Sequence, residues 1–330
     1  MNVFVPAEPS ELLETQSKVE VLQALEPAVE EMMGDHLRKR NMWMPSDFLP
    51  ADEQMDDDRG QVIARLRERA RSIADAIRVS LALNLLTEEG LPHFHRLLDR
   101  YLGEGSVWQR WNFLWTAEED RHGCVLRDYV RDARLFRWRE VEMMQFAYQE
   151  AGFTPSWDHD PYRVFVYTTL QERATQFAHR NTAKLVEDEP VLKGITAHVA
   201  ADEARHFNFY RNVFKAILEL DPGRALTSAL AVMPAIDMPG HAMPSFREMA
   251  DVVRRMGIYT PWDYKKIVEE AIAFWRIDVL TGLNEVGRKA QEKIMAIPAR
   301  LQKVAEYVEQ RTQRKSFSFD FIFDRILVLE

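Results

Sequence analysis

Glu118-Glu119-Asp120-Arg121-His122 and Asp202-Glu203-Ala204-Arg205-His206 share one pattern, acid-Glu-x-Arg-His, within a chain of 330 residues. Of the nine histidines, no other has a glutamate three positions before it. On a helix, residues i and i+3 project from one face, so each stretch aims a carboxylate and an imidazole at a common point. The repeat, with its matching acid and arginine, turns two short motifs into two halves of one site.

A dinuclear site in a ferritin-like four-helix bundle takes Glu-x-x-His from each of two helices and one glutamate from each of the others. Glu88 stands 31 residues before Glu119, and Glu172 stands 31 before Glu203. The chain therefore reads Glu, then Glu-x-x-His, twice, with the copies offset by 84. That interval lets one helix end, turn and return antiparallel to the same depth. Glu88, Glu119, His122, Glu172, Glu203 and His206 form an oxygen-and-nitrogen set suited to iron or manganese. Their four carboxylates nearly neutralise two divalent cations, and one imidazole per metal leaves positions open for dioxygen. A structural zinc site would be closed by four ligands, more often thiolates, and the chain has one cysteine. The rival reading is a set of buried Glu-Arg-His ion pairs, but several carboxylates buried together without a cation are costly.

The same symmetry nominates supporting residues. Glu118 and Asp202 can accept the free N–H of a ligand histidine, with Arg121 and Arg205 balancing them. Trp115 lies one turn before Glu119, on an electron path or in the packing. Thr175 lies one turn after Glu172, where a hydroxyl can face bound oxygen; its symmetry partner is Leu91. His179 reads as a satisfied core histidine, His93, His95 and His198 as ordinary polar or packing residues, and Cys124 as a packing residue.

A hydrophobic content of 46% and a charged content of 29% describe an ordinary soluble protein. No apolar run approaches the ~20 residues of a membrane span, and the acidic N-terminus lacks signal-peptide features. A cytoplasmic protein is expected. The net charge of -9 argues against general nucleic-acid binding. No linker or low-complexity block divides the chain, so residues 1–330 read as one mostly helical domain.

Along the chain, the periodicity predicts an N-terminal helix within 1–35, opened at Ser10. Asp56-Asp57-Asp58 is expected to cap one long helix from about 59 through Leu85. Further helices are expected from Phe94 to Leu102, from Ser106 to Arg131 and over 137–150. Others span Pro161 to Leu185, Pro190 to about Asp221, 262–285 and 287–313. Residues 232–244, with three Met-Pro pairs, read as a loop. Phe317 to Phe323 alternates like a strand, within an ending at 315–330.

Trp115-Thr116-Ala117-Glu118-Glu119-x-Arg121-His122-Gly123, Gln171-Glu172-Arg173-Ala174-Thr175 and Ala201-Asp202-Glu203-x-Arg205-His206 resemble the motifs of soluble acyl-carrier-protein desaturases. These are the stearoyl-type enzymes of plastids and their actinobacterial relatives. Asp47-Phe48-Leu49-Pro50, Thr87-Glu88-Glu89-x-Leu91-Pro92, Asn181-Thr182-Ala183 and Phe321-Ile322-Phe323-Asp324-Arg325 extend the resemblance to about residue 35 and the last few residues. It implies a ferritin-like helical bundle, usually a homodimer, with a small C-terminal β-hairpin. It implies two iron ions on the six residues above, and reduced ferredoxin as electron donor. The activity implied is O2-dependent insertion of a cis double bond into an acyl chain carried on acyl carrier protein. Trp43, Trp115 and Asp202 match positions linked to electron entry, and Thr175 matches the hydroxyl on the oxygen side. Departures from the plastid pattern fall at Val164, at Arg180 and across 93–105.

An acidic carrier protein needs basic residues to dock on, and Arg38, Lys39, Arg40, Arg65, Arg67 and Arg71 are the expected ones. Two other readings remain: a member that binds acyl-acyl-carrier protein without turnover, or another di-iron oxidase or oxygenase. The radical subunit of ribonucleotide reductase is disfavoured, because it needs a tyrosine one turn beyond His122, where Leu126 stands.

Overall fold

The computed structural model describes residues 9–49, 56–100, 103–155, 160–236, 239–311 and 314–329. In chain order its helices begin with α1 (Pro9–Ala24), α2 (Glu26–Lys39), α3 (Asp56–Ala70), α4 (Asp75–Glu88) and α5 (Leu91–Asp99). There follow α6 (Val107–Asp132), α7 (Trp138–Ala151), α8 (Pro161–Leu185), α9 (Pro190–Leu220) and α10 (Pro222–Val232). The last are α11 (Phe246–Arg255), α12 (Pro261–Trp275), α13 (Glu285–Met295) and α14 (Ile297–Gln310). Two short strands, β1 (Ser316–Ser318) and β2 (Ile326–Val328), pair antiparallel with Phe317 opposite Leu327. The fold is the all-α, ferritin-like bundle with extra helices and a C-terminal hairpin.

Local signals set the ends of the central helices. The Ser106 hydroxyl accepts from the Gln109 N–H before α6. The Asp160 carboxylate accepts from the Tyr162 N–H before α8, and Glu189 from the Leu192 N–H before α9. Each side chain satisfies a donor the helix leaves free, and Pro161 and Pro190 open α8 and α9 where a missing N–H costs nothing.

Helices α4, α6, α9 and α8 close a four-membered ring of contacts, with α8 and α9 packed along their length. Two apolar cores fill the bundle. One gathers Trp108, Trp111 and Trp115 of α6, Phe165 and Tyr167 of α8, and Phe209 to Leu218 of α9. The other gathers Val79 to Leu86 of α4, Val125 to Val130 of α6, and Leu192 to Val199 of α9. On α6 and α9 the predicted ligands fall in the seam between these cores.

Several boundaries differ from the sequence reading. The N-terminal helix is two, broken at Leu25, because Pro27 lacks an N–H and its ring would clash with the Gln23 carbonyl. The long helix expected over 59–85 is also two, α3 and α4, and Asp56 lies within α3 rather than before it. Buried Arg78 supports that break: it donates to the Arg71 and Ile73 carbonyls, which the interrupted helix leaves free, and to the Ala70 carbonyl, which also accepts from the Ile73 N–H. Arg276, in the left-handed region at φ 51°, ends α12 early. Pro298 similarly separates α13 from α14. Helices α10 and α11 were not anticipated. Of the expected terminal strand only Ser316–Ser318 is extended; Asp320–Ile322 forms a 3-10 turn, although Phe317, Phe319 and Phe321 stay buried.

Candidate metal centre

Glu88 is the last residue of α4, Glu119 and His122 lie mid-α6, Glu172 on α8, and Glu203 and His206 on α9. None exposes more than 8% of its surface. Their ligand atoms fall into two groups, Glu88-Glu119-His122-Glu203 and Glu119-Glu172-Glu203-His206, each within 4.8 Å. The groups share Glu119 and Glu203, so the two interior helices supply carboxylates common to both halves.

The two imidazoles point the same way. His122 Nδ1 is 3.6 Å from Glu88 Oε2, 3.5 Å from Glu119 Oε2 and 3.7 Å from Glu203 Oε1. His206 Nδ1 is 2.8 Å from Glu119 Oε1, without the alignment of a hydrogen bond, and 3.6 Å from both Glu172 Oε2 and Glu203 Oε2. His122 Nδ1, His206 Nδ1, Glu119 Oε1, Glu172 Oε2 and Glu203 Oε2 are all buried without a hydrogen-bond partner. Buried polar atoms are rarely left so, and five converging on one point fit a cation centre.

The electrostatics express the same strain. Burial, then the Glu119 and Glu172 carboxylates, push the Glu203 carboxyl well above its usual range. Burial opposes charge on His122 and His206 too, yet the surrounding carboxylates hold both well above the usual histidine range. Burial would also raise Glu88, but the neighbouring His122 imidazole and the hydrogen bond to His179 bring it to about 2. His179 Nε2 sits 2.8 Å from Glu88 Oε1, beside the ligand set rather than within it.

Each supporting acid serves the histidine of the other motif. His122 Nε2 is 3.3 Å from Asp202 Oδ2, and His206 Nε2 is 2.9 Å from Glu118 Oε2. The arginines do not divide as expected. Arg121 and Arg205 both bind Asp202, because Arg121 reaches across from α6 to α9. Glu118 instead meets His36 Nε2 at 3.0 Å and Arg40 at 3.8 Å. His36 is thus a buried member of the site that no motif spacing marks.

Trp43 Nε1 donates to Asp202 Oδ2 at 3.0 Å, and its ring stacks on His122 at 6.0 Å between centroids. Arg121 holds the Trp43 carbonyl at 2.8 Å. Trp115 Nε1 donates to Glu172 Oε1 at 3.0 Å. Thr175 gives its hydroxyl proton to the Gln171 and Glu172 carbonyls and lines a cavity of ≈ 40 Å³ beside Glu88, Glu119 and Glu203. Thr87 and Gln171 line it as well. Thr87 was missed as a site residue, though it stands 84 before Gln171, the same offset that found the ligands. Cys124 is exposed on α6 rather than packed, its thiol 3.8 Å from Asp120.

A helical bundle enclosing a carboxylate–histidine centre able to hold metal is the class of protein defined by this geometry. A profile of the fatty acid desaturase family matches residues 17–323, and the chain belongs to that family. It is 34% identical to the chloroplastic stearoyl-[acyl-carrier-protein] 9-desaturase of Spinacia oleracea, over 94% of this chain and 82% of that one. It is 34% identical to the chloroplastic acyl-[acyl-carrier-protein] desaturase of Cucumis sativus, over 98% and 86%. Among solved structures, the acyl-ACP desaturase candidate DesA2 from Mycobacterium tuberculosis H37Rv has a similar fold. The TM-score is 0.56 at 23% identity, covering 82% of this chain and 99% of that one. No helix among the described residues is long and apolar enough to cross a membrane.

Proposed function

We propose that this protein is an O2-dependent acyl-[acyl-carrier-protein] desaturase that places a cis double bond in a carrier-bound fatty acyl chain. The observation that carries the reading is the pair of four-residue groups sharing Glu119 and Glu203 beside the Thr87–Thr175 cavity. Glu88, Glu119, His122, Glu172, Glu203 and His206 would hold two iron ions, which when bound supply the activation of dioxygen that unactivated C–H bonds demand. Overall, –CH2–CH2– plus O2, two electrons and two protons gives –CH=CH– plus two waters.

The chain's own residues orient and insulate. Asp202 and Glu118 fix the two histidines with Nδ1 turned inward. The apolar cores on either side keep water from the seam. Trp43, hydrogen-bonded to Asp202 and stacked on His122, is the proposed entry for electrons from a ferredoxin-type donor. Trp115 fixes the Glu172 carboxylate, and Thr175 places a hydroxyl at the cavity wall. Carrier protein would dock on basic surface near the end of α2 (Arg38, Lys39, Arg40) and on α3 (Arg65). A cytoplasmic homodimer built of one domain per chain completes the proposal.

The small cavity favours a second reading. At ≈ 40 Å³ it has room for a few water-sized molecules, not for a long acyl chain in this arrangement. A member that binds acyl-carrier protein without turnover would have such a site. Mass spectrometry of acyl-carrier substrates of varied length, incubated with ferredoxin, its reductase and oxygen, separates the two. Loss of two hydrogens is expected for at least one length; no product at any length would favour the second reading.

A further inference from the structure

A cleft of ≈ 440 Å³ lies where the α3–α4 break, the end of α6 and the C-terminal hairpin meet. It is remote from the metal centre, since Glu88 ends α4 about 20 Å along the helix from Asp75. Arg67, Arg71, Arg78, Arg134 and Arg325 line it, no acid among the described residues does, and exposed Phe323 adds apolar surface. Arg78 is buried, while Arg71, Arg134, Arg325 and Phe323 are exposed, so the cleft opens to solvent.

The charges there do not cancel. Arg71 pairs with Glu68 at 2.7 Å and Arg325 with Asp75 at 2.9 Å; Arg78 lies 3.6 Å from the same Asp75. Arg67 donates to the Asp132 carbonyl, and Arg78 to that of Ile73, groups with no net charge. The Arg134 side chain makes no hydrogen bond or ion pair among the described residues. Five guanidinium groups thus meet two carboxylates, in a protein whose net charge is -9.

The backbone sets Arg134 in place. At the end of α6 the Arg134 N–H binds the Arg131 carbonyl and the Leu135 N–H binds the Val130 carbonyl, both at 3.1 Å, with Arg134 at φ 53°. The end of α11 closes in the same way with Gly257 at φ 66°. Glycine is the residue this turn favours. An arginine there costs stability that glycine would not, and it adds an unpaired cation to the cleft.

We infer that the cleft binds an organic diphosphate of nucleotide type, its phosphates among the guanidinium groups and its organic part against Phe323. Guanidinium forks match phosphate oxygens bidentately. The volume lies within the range of small-molecule sites, roughly 300–1,000 Å³. The ligand's negative charge offsets the surplus that five convergent arginines leave.

Isothermal titration of the full, metal-loaded chain with ADP and with inorganic pyrophosphate tests the assignment. Both should bind saturably, once per chain, with ADP the tighter. Arg134→Gly should weaken both about tenfold or more without lowering the melting temperature, and Arg71→Gln should weaken them too. The Arg134→Gly centre is intact, so any chelation of metal by the phosphates is common to variant and parent. Absence of saturable binding in the millimolar range, or parental affinity in Arg134→Gly, overturns the proposal. Equal affinity for the two ligands overturns the organic part of it.

Discussion

His206 Nε2 lies 2.9 Å from Glu118 Oε2, so the histidine of the second motif is held by the acid of the first. The reverse pair, His122 with Asp202, completes the crossing at 3.3 Å. Glu118→Gln and Asp202→Asn should each cost about 10–100-fold in metal affinity, the usual loss when the partner of a ligand histidine is weakened. Metal content at limiting iron measures this. Full loading of both variants would show that the crossed acids do not orient the histidines.

Shared and unshared carboxylates should behave differently. Glu119 and Glu203 belong to both groups, whereas Glu88 and Glu172 each belong to one. Purified protein should hold about two metal ions per chain. Glu119→Ala should lose both, while Glu88→Ala should retain one. Elemental analysis decides, and one zinc per chain in the parent would sink the di-iron reading.

Stability of the metal-free protein should fall on the alkaline side. His122 and His206 are raised well above their ordinary value of 6.5 by the carboxylates around them, against burial. Their contribution is complete below 6.5 and disappears as pH rises through the raised values. Glu203, raised from 4.5, acts in the same direction. Glu88, lowered from 4.5 to about 2, stabilises above 4.5 and loses that effect as pH falls toward 2. Metal replaces the protons on the ligands, so loaded protein should hold its melting temperature to higher pH than apo protein. Parallel melting curves for the two forms would contradict this.

Arg78 is expected to be worth more to stability than its surface relatives. Arg78→Ala frees the Arg71 and Ile73 carbonyls, removes one of two donors to Ala70, and should cost roughly 2–4 kcal/mol. Arg78→Lys should recover only part, since one ammonium cannot reproduce the fork. Denaturant unfolding at neutral pH gives both values, and a loss below the noise of ordinary surface substitutions would refute the capping role.

The proposed ligand set was legible because it is written in local spacing. Glu119 with His122, and Glu203 with His206, face one way on any helix, and the 31- and 84-residue intervals place Glu88 and Glu172 at the same depth. Helix starts at Pro161 and Pro190 were equally readable, since proline suits the first helical position. The same 84-residue offset could also have found Thr87.

What the sequence by itself determined, then, is which side chains share a helical face and where proline opens α8 and α9. Only the tertiary structure decided that Glu118 and Asp202 exchange histidines, that Arg121 joins Arg205 on Asp202, and that His36 enters from α2. It also decided that Arg78 stitches a helix break the periodicity of 59–85 had bridged. Those pairings join residues far apart in the chain, such as Glu118 and His36 at 82 positions or Arg121 and Asp202 at 81. They depend on how the helices are oriented and packed, which no local hydrogen bond or hydrophobic period records.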